Sequence, residues 1–475
     1  MSLIRLHSET TGEFLMTGIL VVILSVCAAA YLILKRYYAP GSLLLVGLIT
    51  LAVSIFIGPD PLITGKKATH LAGLDVIQCL TNLLQTRTAG LGMLIMSVGG
   101  FSAYMDKVGA ARALVLLSTK PLQKIKSPYL VMVLGYLLCL ALNVFIPSAA
   151  GLAMLMMVSL YPILVSAGIS KQSAAATVLV GGCCCFGPSG GNTLMGSELT
   201  NMHVMDFFLN VQWAVGWVVI PVTLAAHFFI QKWFDKKDLA SGRLTAEDFK
   251  YIGTEQPDQD NQSTPLYYAL FPLIPVVLLF VFSPLVYKGI RMEVVTAIFC
   301  SAFTAFIIDL IRRRSLKECL ADLKAIPAGM GKTFTTTIFL IISAEVFAQG
   351  LTKSGGIATI IQSVSGLDAG AAAIFTVMFF IVAASAFVMG SGNAAFFSFA
   401  PMIPQAAAAV GGHAAFMISP LQLVSGMARS GSPVAGVTIA VAGVSGVQPF
   451  DLIRRTIPVM IITALTLYLH ALTFV

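Results

Sequence analysis

The sequence has 475 residues, of which 57% are hydrophobic and only 11% are charged, and its formal net charge is +8. Because soluble domains carry about 25% charged residues, this composition excludes an ordinary soluble enzyme or binding domain. The positive charge does not indicate nucleic-acid binding, since the basic residues cluster beside apolar segments rather than along one soluble face. The composition predicts an all-α polytopic protein embedded in the lipid bilayer.

Several apolar segments approach the roughly 20 residues that a helix needs to cross the hydrocarbon core. The clearest are Phe14–Leu34, Phe207–Ile230, Leu270–Val286 and Ala369–Met389. The first exceeds the roughly 7 to 15 apolar residues of a signal-peptide core, so we expect it to be a retained helix. Loops rich in Lys and Arg are expected to face the cytoplasm. Their basic residues are Lys35, Arg36, Lys107, Arg112, Lys120, Lys124, Lys126, Lys232, Lys236, Lys237, Arg312, Arg313 and Arg314.

A polar stretch at residues 231–265 separates two apolar halves. It holds seven of the 21 acidic residues, so it is interpreted as a cytoplasmic linker. Residues 1–230 then form a first membrane repeat and residues 266–475 a second. The mixed charge of the linker is interpreted as ordinary solvation rather than as a regulatory or docking site.

The two halves carry similar motifs in the same order, which predicts an internal duplication. By the same charge rule, the loop after the first helix lies inside in the first half, at Lys35 and Arg36, and outside in the second, at Lys288 and Arg291. Two inverted repeats are therefore predicted, as is common in secondary transporters. The matching residues are Phe101, Lys107 and Gly109 with Phe347, Lys353 and Gly355 at one offset, Ser148 and Ser189 with Ser391 and Ser432 at equal spacings of 41 (189 − 148 and 432 − 391), and Asp206 with Asp451.

Four interruptions rich in Ser, Gly and Pro occur at residues 147–151, 188–192, 390–393 and 430–433. A helix broken at membrane depth is tolerated only where its freed backbone groups face protein or a watery cavity. Each break would start a half-helix whose free N–H groups suit a carboxylate or phosphate, while exposed carbonyls suit a small cation. The alternative is that these residues only allow close packing or a kink. The candidate substrate ligands are Ser148, Ser189, Asn192, the adjacent Thr193, Ser391, Asn393 and Ser432.

Two charged residues lie within apolar stretches. Arg429 is the one formally charged residue between Ser385 and Phe450, and it lies three residues before Ser432. An intramembrane arginine is expensive and is usually paired or faces a cavity, so Arg429 is predicted to bind a substrate carboxylate, with snorkelling to the interface as the alternative. Glu345 is a candidate proton carrier, and a carboxylate buried and hydrogen-bonded for structure is the other interpretation.

The sequence contains no Walker A motif, no HExxH and no acid/base constellation, so neither ATP use nor an enzyme activity is expected. Its eight cysteines include no CxxC or Cys/His ligand spacing, and neither a metal site nor another cofactor is expected. The energy for transport would then come from a gradient of Na⁺ or H⁺. A channel would need a continuous polar path, and the sequence has no filter repeat.

From about Lys35 to its C-terminus the chain resembles the anaerobic four-carbon dicarboxylate carriers of the DcuC type, within the wider ion transporter superfamily. The resemblance is carried by "GGFSAYMDKVGA", "KPLQKIKSPYL", "GSGNAAFFSF" and "SPVAGVTIAVAG". In the family pattern the first-half loop reads Pro-Thr-Ser-Gly-Asp, whereas this chain has Asn192 at the last position. Residues matching the second-half hairpin are Ser391, Gly392 and Asn393, and those matching the later break are Arg429, Ser432 and Pro433.

The resemblance implies a carrier of succinate, fumarate, malate or a similar dianion in the bacterial inner membrane, working by symport, efflux or exchange. It also implies a homodimer, re-entrant hairpins, and a transport domain that slides past a fixed scaffold in the manner of an elevator. Because Asn192 replaces an acid that could bind a cation or a proton, the alternative is an ion-coupled carrier of another organic anion, such as citrate, gluconate or an amino-acid-like compound.

Overall fold

A computed structural model of the chain describes residues 17–29, 31–32, 35, 37–58, 61–63, 68–125, 127–184, 186–250, 264–282, 289–290, 292–355 and 370–475. All regular elements in these ranges are helical. Seven helices within them are long and apolar enough to cross a membrane, or eight if one bent pair counts as a single span. The all-α, multi-pass prediction is therefore confirmed.

The first half of the chain is built from eleven helices, several of which run through apolar sequence without a charged residue. α2, for example, carries no charge over its whole length and packs along α16 of the second half. The helices are α1 (Thr17–Ala29), α2 (Ala39–Ile57), α3 (Ala72–Arg87), α4 (Met93–Lys107), α5 (Ala110–Thr119), α6 (Pro128–Asn143), α7 (Ala149–Ser166), α8 (Lys171–Gly181), α9 (Gly191–Leu199), α10 (Val204–Gly216) and α11 (Val219–Ala240).

The second half is built from eleven further helices and ends, like the first, in a long helix. Its first element starts as a 3₁₀-helix before it becomes α-helical. The helices are α12 (Leu266–Val281), α13 (Val294–Arg313), α14 (Leu316–Asp322), α15 (Ala325–Thr333), α16 (Phe339–Lys353), α17 (Gly370–Met389), α18 (Gly392–Phe399), α19 (Ile403–Ala409), α20 (Ala414–Ser430), α21 (Gly436–Ser445) and α22 (Pro449–Ala471).

Two long helical runs each contain a π-helical segment. The first joins α3 to α4 at Thr88–Gly92, where Gly90 has non-helical angles and kinks the run, and the second joins α15 to α16 at Phe334–Ile338. The segments lie 246 residues apart (334 − 88), and α4 and α16 show the same offset (339 − 93). The runs cross here, because a Cβ added to Gly92 would lie 3.2 Å from Cγ2 of Ile338.

The helices pack as two groups. In one group α2, α3, α4 and α13 pack with α15 and α16. In the other, α6 to α8 pack with α17 to α22, and α11 contacts α6, α8 and α22. The antiparallel pairs α6–α7 and α17–α18 each fold back on themselves within the second group. The groups meet where α9 touches α4 and α18 touches α16.

The polar stretch predicted as a linker from residue 231 begins later than expected, because α11 continues to Ala240. Gln231, Asp235 and Asp238 follow one face of this helix and are buried. The carboxylates of Asp235 and Asp238 receive N–H donors from Arg455 at 2.6 and 2.8 Å, so their charge is neutralised inside the protein rather than by solvent. Residues 251–263 of the stretch lie outside the described residues. The division into two membrane repeats stays a prediction.

The predicted spans fall on helices wherever the structure describes them. The segment predicted at Phe207–Ile230 belongs to α10 and α11, which are bent by 46° at their junction. Of the predicted spans, residues 14–16, 30, 33–34, 283–286 and 369 lie outside the described residues, as do the loop residues Arg36, Lys126, Lys288 and Arg291.

Candidate binding site

The chain leaves helical geometry at all four predicted breaks. Two of these are the tips between α6 and α7 and between α17 and α18, and the other two separate α8 from α9 and α20 from α21. Each tip touches the break of its own half. A Cβ added to Gly187, where φ is +147°, would lie 2.9 Å from Cα of Val144, and one added to Gly390, where φ is +66°, would lie 2.7 Å from the backbone nitrogen of Ala435. Only glycine fits these positions, because of both φ and space.

The first tip, the first break and the start of α18 enclose a small cavity. Its volume of about 30 Å³ gives room for about two water molecules. It therefore joins backbone and side chains from both halves of the chain at one point. The lining residues are Asn143, Pro147, Phe186, Gly190, Gly191, Asn192 and Asn393.

Two helix N-termini open onto this cavity. α9 begins at Gly191 and α18 at Gly392, and residues of the first turn of each line the wall. The first N–H groups of a helix have no acceptor within it, and the helix dipole places partial positive charge there. The lining residues carry no formal charge. This arrangement suits an anion with two negative ends better than a cation.

Asn192 is the most telling side chain in the wall. It is 2% exposed, and neither its Oδ1 nor its Nδ2 has a hydrogen-bond partner among the described residues. Burying an amide without a partner costs about 1 to 3 kcal/mol by protein mutational data, so such a group calls for an explanation. Its place in the cavity provides one, because a bound carboxylate can accept from Nδ2.

The predicted serines of the first half hold the backbone at the tip and break. Ser148 accepts a hydrogen bond from the Gly151 N–H at 3.1 Å and so caps α7. Ser189 donates to the Val144 carbonyl at 2.7 Å and thereby fastens the first break to the first tip. Thr193 is buried and accepts from Nε2 of Gln422 at 2.9 Å, across the two halves.

The predicted residues of the second half are more dispersed. Ser391 caps α18 by accepting from the Ala394 N–H at 3.2 Å, next to Asn393 in the cavity wall. Gly392 is buried against α20, where an added Cβ would lie 2.7 Å from the Ser425 carbonyl oxygen. Ser432 and Pro433 lie in the second break and do not line the cavity, and Ser432 accepts from the Val434 N–H at 3.4 Å.

Arg429 lies at the end of α20 and reaches the first break instead of the cavity. One terminal nitrogen, NH2, donates to the carbonyl of Gly182 at 2.8 Å, at the C-terminal end of α8. Its Nε is buried without a partner among the described residues. A guanidinium here meets the negative end of the α8 dipole. In this arrangement Arg429 joins the two broken helices, and its predicted contact with substrate stays a prediction.

Glu345 lies in the other group of helices. Its Oε2 accepts from Nε of Arg87 at 2.6 Å, and its side chain is 5% exposed. Oε1 has no partner among the described residues. The pair joins α3 to α16 over a sequence separation of 258 residues, close to the crossing of the two long runs.

Sequence reasoning missed Asn143, Pro147 as a wall residue, and Phe186. Asn143 is the last residue of α6 and is 6% exposed. An asparagine in an otherwise apolar segment, four residues before a predicted break, is a signal that could have identified it. Phe186 carries no such signal, because a phenylalanine is ordinary in a membrane helix.

Comparison with known proteins gives a family match over residues 16–475, to the family described as "DcuC: C4-dicarboxylate anaerobic carrier". The chain is 31% identical over 448 residues to the "Anaerobic C4-dicarboxylate transporter DcuC" of Escherichia coli, with 94% of each chain covered. It is 32% identical over 451 residues to the "Probable anaerobic C4-dicarboxylate transporter DcuC" of Vibrio cholerae, covering 94% of this chain and 96% of the relative.

Among solved structures, the crystal structure of the Alcanivorax borkumensis YdaH transporter is similar with a TM-score of 0.49 and 12% sequence identity. The similarity covers 92% of this chain and 98% of that chain. At this score the similarity is too weak to carry an argument about the site.

Proposed function

The chain belongs to the DcuC family of C4-dicarboxylate anaerobic carriers, and from this premise we propose that it is a secondary active carrier of four-carbon dicarboxylates such as succinate, fumarate and malate. It is a multi-pass protein of the bacterial inner membrane and not an enzyme. Transport proceeds by symport, efflux or exchange.

The observation that carries the proposal is the uncharged cavity in which α9 and α18 begin. A dianion of four carbons has a carboxylate at each end, and each half-helix N-terminus offers free N–H groups to one of them. Asn192 and Asn393 add amide donors from the two halves. The site thus binds two negative charges through dipoles, without a fixed cation in its wall.

The cavity must widen to hold such a substrate, because about 30 Å³ accommodates about two waters and not a dicarboxylate. The first tip is the part most suited to move, since Asn143 and Pro147 come from it and Ser189 fastens it by one hydrogen bond. Binding then proceeds in three steps: the tip opens, the N–H groups and amides orient the two carboxylates, and the tip closes to exclude water.

An inverted duplication of the two halves is part of the proposal. The equal offset of 246 between the π-helical segments (334 − 88) and between α4 and α16 supports it. So does the contact of Gly92 with Ile338, which are equivalent positions under this offset (338 − 92 = 246). Equivalent positions touch each other where a two-fold axis passes. The second group of helices would then slide as a transport domain past the first group as a scaffold, within a homodimer.

The decisive experiment is counterflow of radiolabelled succinate into proteoliposomes loaded with fumarate, with and without Na⁺ and with imposed pH gradients. Transient accumulation of label is expected, because a carrier returns with either substrate bound. An absence of accumulation in a preparation that is folded by thermal unfolding would overturn dicarboxylate transport. Dependence of the rate on Na⁺ or on the pH gradient identifies the coupling ion.

The site assignment has its own test. Asn393→Ala and Ser391→Ala should each lower counterflow, since one removes an amide from the wall and the other uncaps α18. Ser398→Ala is a matched control, because Ser398 lies on the same helix and donates only to the Ala394 carbonyl. Wild-type counterflow in both Asn393→Ala and Ser391→Ala would contradict the assignment.

A second candidate function is transport of another organic anion, such as citrate, gluconate or an amino-acid-like compound. The observation favouring it is Asn192, an uncharged residue where the family pattern has an acid. Competition of labelled succinate by a panel of acids separates the two. A site with two opposed anion-binding ends should reject monocarboxylates strongly, and effective competition by gluconate would favour the alternative.

A further inference from the structure

Resting on the proposed carrier function, we propose that the ion pair between Arg87 and Glu345 is the proton-coupling site of this protein. Glu345 takes up one proton when Arg87 leaves it and releases that proton when the pair re-forms. The inference assigns a role to Arg87, and it limits coupling through this site to one proton per transport cycle.

The geometry of the pair leaves it able to open. Nε of Arg87 lies 2.6 Å from Oε2 of Glu345, while the side chain of Arg87 is 32% exposed and that of Glu345 only 5%. Oε1 of Glu345 is buried without a partner among the described residues. A buried carboxylate held by one donor on one oxygen, opposite a partly exposed arginine, can exchange that donor for a proton.

The fold does not require a charge at this crossing. Under the offset of 246, Arg87 is equivalent to Thr333 (87 + 246) and Glu345 to Gly99 (345 − 246). Those two residues also touch, since a Cβ added to Gly99 would lie 2.0 Å from Oγ1 of Thr333. The same helix crossing is therefore made once by an ion pair and once by close packing alone.

The difference between the charged and the uncharged crossing favours a functional role for the ion pair over a structural one. A buried ion pair is seldom better for stability than well-packed apolar residues, because desolvation offsets the Coulombic gain. Because Thr333 and Gly99 pack at their crossing without charge, the ion pair between Arg87 and Glu345 needs an explanation other than packing. Ionisable residues within membrane-spanning helices commonly belong to ion or proton pathways.

No other charge competes for Glu345 among the described residues of the elements packed around it. α2, α18, the 3₁₀ turn after α18 and the second π-helical segment carry none. On α3 the other titratable groups are Asp75, hydrogen-bonded to Thr69, and the buried Cys79. On α16 itself, Lys353 donates to the Pro61 carbonyl. Arg87 is thus the group whose departure changes the electrostatics of Glu345.

The helical run that carries Arg87 contacts one wall of the substrate cavity. Ile95 of α4 touches the start of α9, because a Cβ added to Gly191 would lie 3.4 Å from its Cγ2. Arg87 precedes Ile95 by eight residues (95 − 87), or about 12 Å along a helix. Movement of α9 along this run changes the distance between a bound dianion and Arg87, and an approaching carboxylate draws Arg87 away from Glu345.

The proton balance is simple. When Arg87 leaves, the Glu345 carboxylate binds one H⁺ and becomes the neutral acid, so no uncompensated charge stays buried. When the substrate departs, Arg87 returns, the acid loses its proton to water, and the ion pair re-forms. No other reactant is needed.

The test compares two transport modes of Glu345→Gln in proteoliposomes. We expect succinate/fumarate counterflow to stay within about twofold of wild type, since exchange needs no net proton movement, while uphill accumulation driven by an inward-directed proton gradient is lost. Arg87→Gln should also lose driven accumulation, and Arg87→Lys should retain coupling. A merely structural pair would lower both modes together, and that result would overturn the proposal.

Thr333→Val is the matched control at the uncharged crossing, and its ratio of driven accumulation to counterflow should equal that of wild type. Should Glu345→Gln fail to fold, the double variant Arg87→Gln with Glu345→Gln keeps an uncharged hydrogen-bonded pair, and driven accumulation by this variant would overturn the proposal. Wild-type counterflow without any uphill accumulation under the proton gradient would overturn the coupling site and leave the carrier function intact. Absence of wild-type counterflow would instead contradict the carrier function.

Discussion

Asn192 lowers the stability of the fold and lies in the wall of the proposed substrate site. Its buried amide has no partner among the described residues, and it lines the cavity where two helices begin. We predict that Asn192→Leu, a change of similar size, raises the free energy of unfolding by about 1 to 3 kcal/mol by removing a buried unsatisfied amide. The same change should abolish succinate counterflow, because the donor to the carboxylate is gone.

Thermal unfolding in detergent and counterflow in proteoliposomes, measured on the same preparation, check both parts. Asn210→Leu is a useful comparison, because Asn210 is exposed on α10 and lies outside the cavity. A less stable Asn192→Leu protein would mean that the amide is satisfied in the unliganded carrier, and the argument from its burial would then be lost.

The single residues that could be predicted from the sequence are those whose role depends on their near neighbours in the chain. Ser, Gly and Asn at a helix break can be recognised from the sequence, because these residues cap helices and tolerate unusual backbone angles. The partner of Glu345 could not be predicted in this way, since Arg87 is 258 residues away and no local pattern joins them. The contact of Arg429 with the Gly182 carbonyl likewise depends on how α20 crosses α8.

Arg429 ties two broken helices together, so its substitution is a test at the scale of elements. Arg429→Ala should cost about 1.5 to 3 kcal/mol, the range for a hydrogen bond to a charged group, by leaving the Gly182 carbonyl without its donor. Arg429→Lys should recover part of this, because a lysine supplies the charge but not the planar fork. Added guanidinium should partly restore the stability of Arg429→Ala in thermal unfolding.

Restoration of stability by guanidinium would show that Arg429 stabilises the end of α8 through its hydrogen bond and not through packing alone. Stability of Arg429→Ala equal to that of wild type would contradict the assigned contact. If Arg429→Ala unfolds at the wild-type temperature and still loses counterflow, then Arg429 acts on the substrate, as the sequence predicts.

A second test concerns the buried cluster that joins α8, α11 and α22. Asp235 accepts from Ser170, Ser173 and Arg455 at 2.6, 2.9 and 2.6 Å. Asp235→Ala leaves the charge of Arg455 partly uncompensated, and breaking a buried pair in this way costs about 3 to 5 kcal/mol. In a double-mutant cycle with Arg455→Met, measured by thermal or denaturant unfolding, the double variant should lose less than the sum of the two single variants.

Additive losses in that cycle would contradict a direct coupling. The cluster also explains why α11 continues into the stretch that the sequence predicts as a polar linker. Acidic residues usually mark solvated chain, but the spacing from Gln231 to Asp235 is one helical turn, so both lie on one face of α11. Gln231 accepts from the Ser173 hydroxyl and donates to the Arg455 carbonyl, and Asp235 accepts from the Arg455 guanidinium. Sequence reasoning without a partner in view assigns such residues to solvent.

On the scale of the whole molecule, composition and apolar segments of about 20 residues predicted the helical membrane fold, because a helix of that length crosses the bilayer and satisfies its own backbone groups within lipid. The offset of 246 between Phe101 and Phe347 was also visible in the sequence, and the π-helical segments Thr88–Gly92 and Phe334–Ile338 show the same offset without having been predicted. What the sequence could not provide is the relation of the hairpin tips to the scaffold. That relation differs between the halves, although the motifs are alike.

The two halves differ in the cavities beside Phe101 and Phe347, which are paired by the offset of 246. The cavity at Phe101, next to the first tip, has about 20 Å³, whereas the cavity at Phe347, next to the end of α17, has about 430 Å³. If the halves are inverted repeats, the opposite-facing conformation exchanges these environments, so the large cavity closes and the small one opens.

Ala384 of α17 lines the large cavity, and Ala384→Phe should fill part of it. We predict that this variant slows counterflow by about tenfold or more, because the second hairpin can no longer approach α16, while thermal unfolding is unchanged or shifts upward as the void is filled. Ala373→Phe is the matched control, since Ala373 is exposed on the same helix and outside the cavity. Wild-type rates in Ala384→Phe would mean that the cavity need not close during transport, and the exchange of environments between the two halves would have to be abandoned.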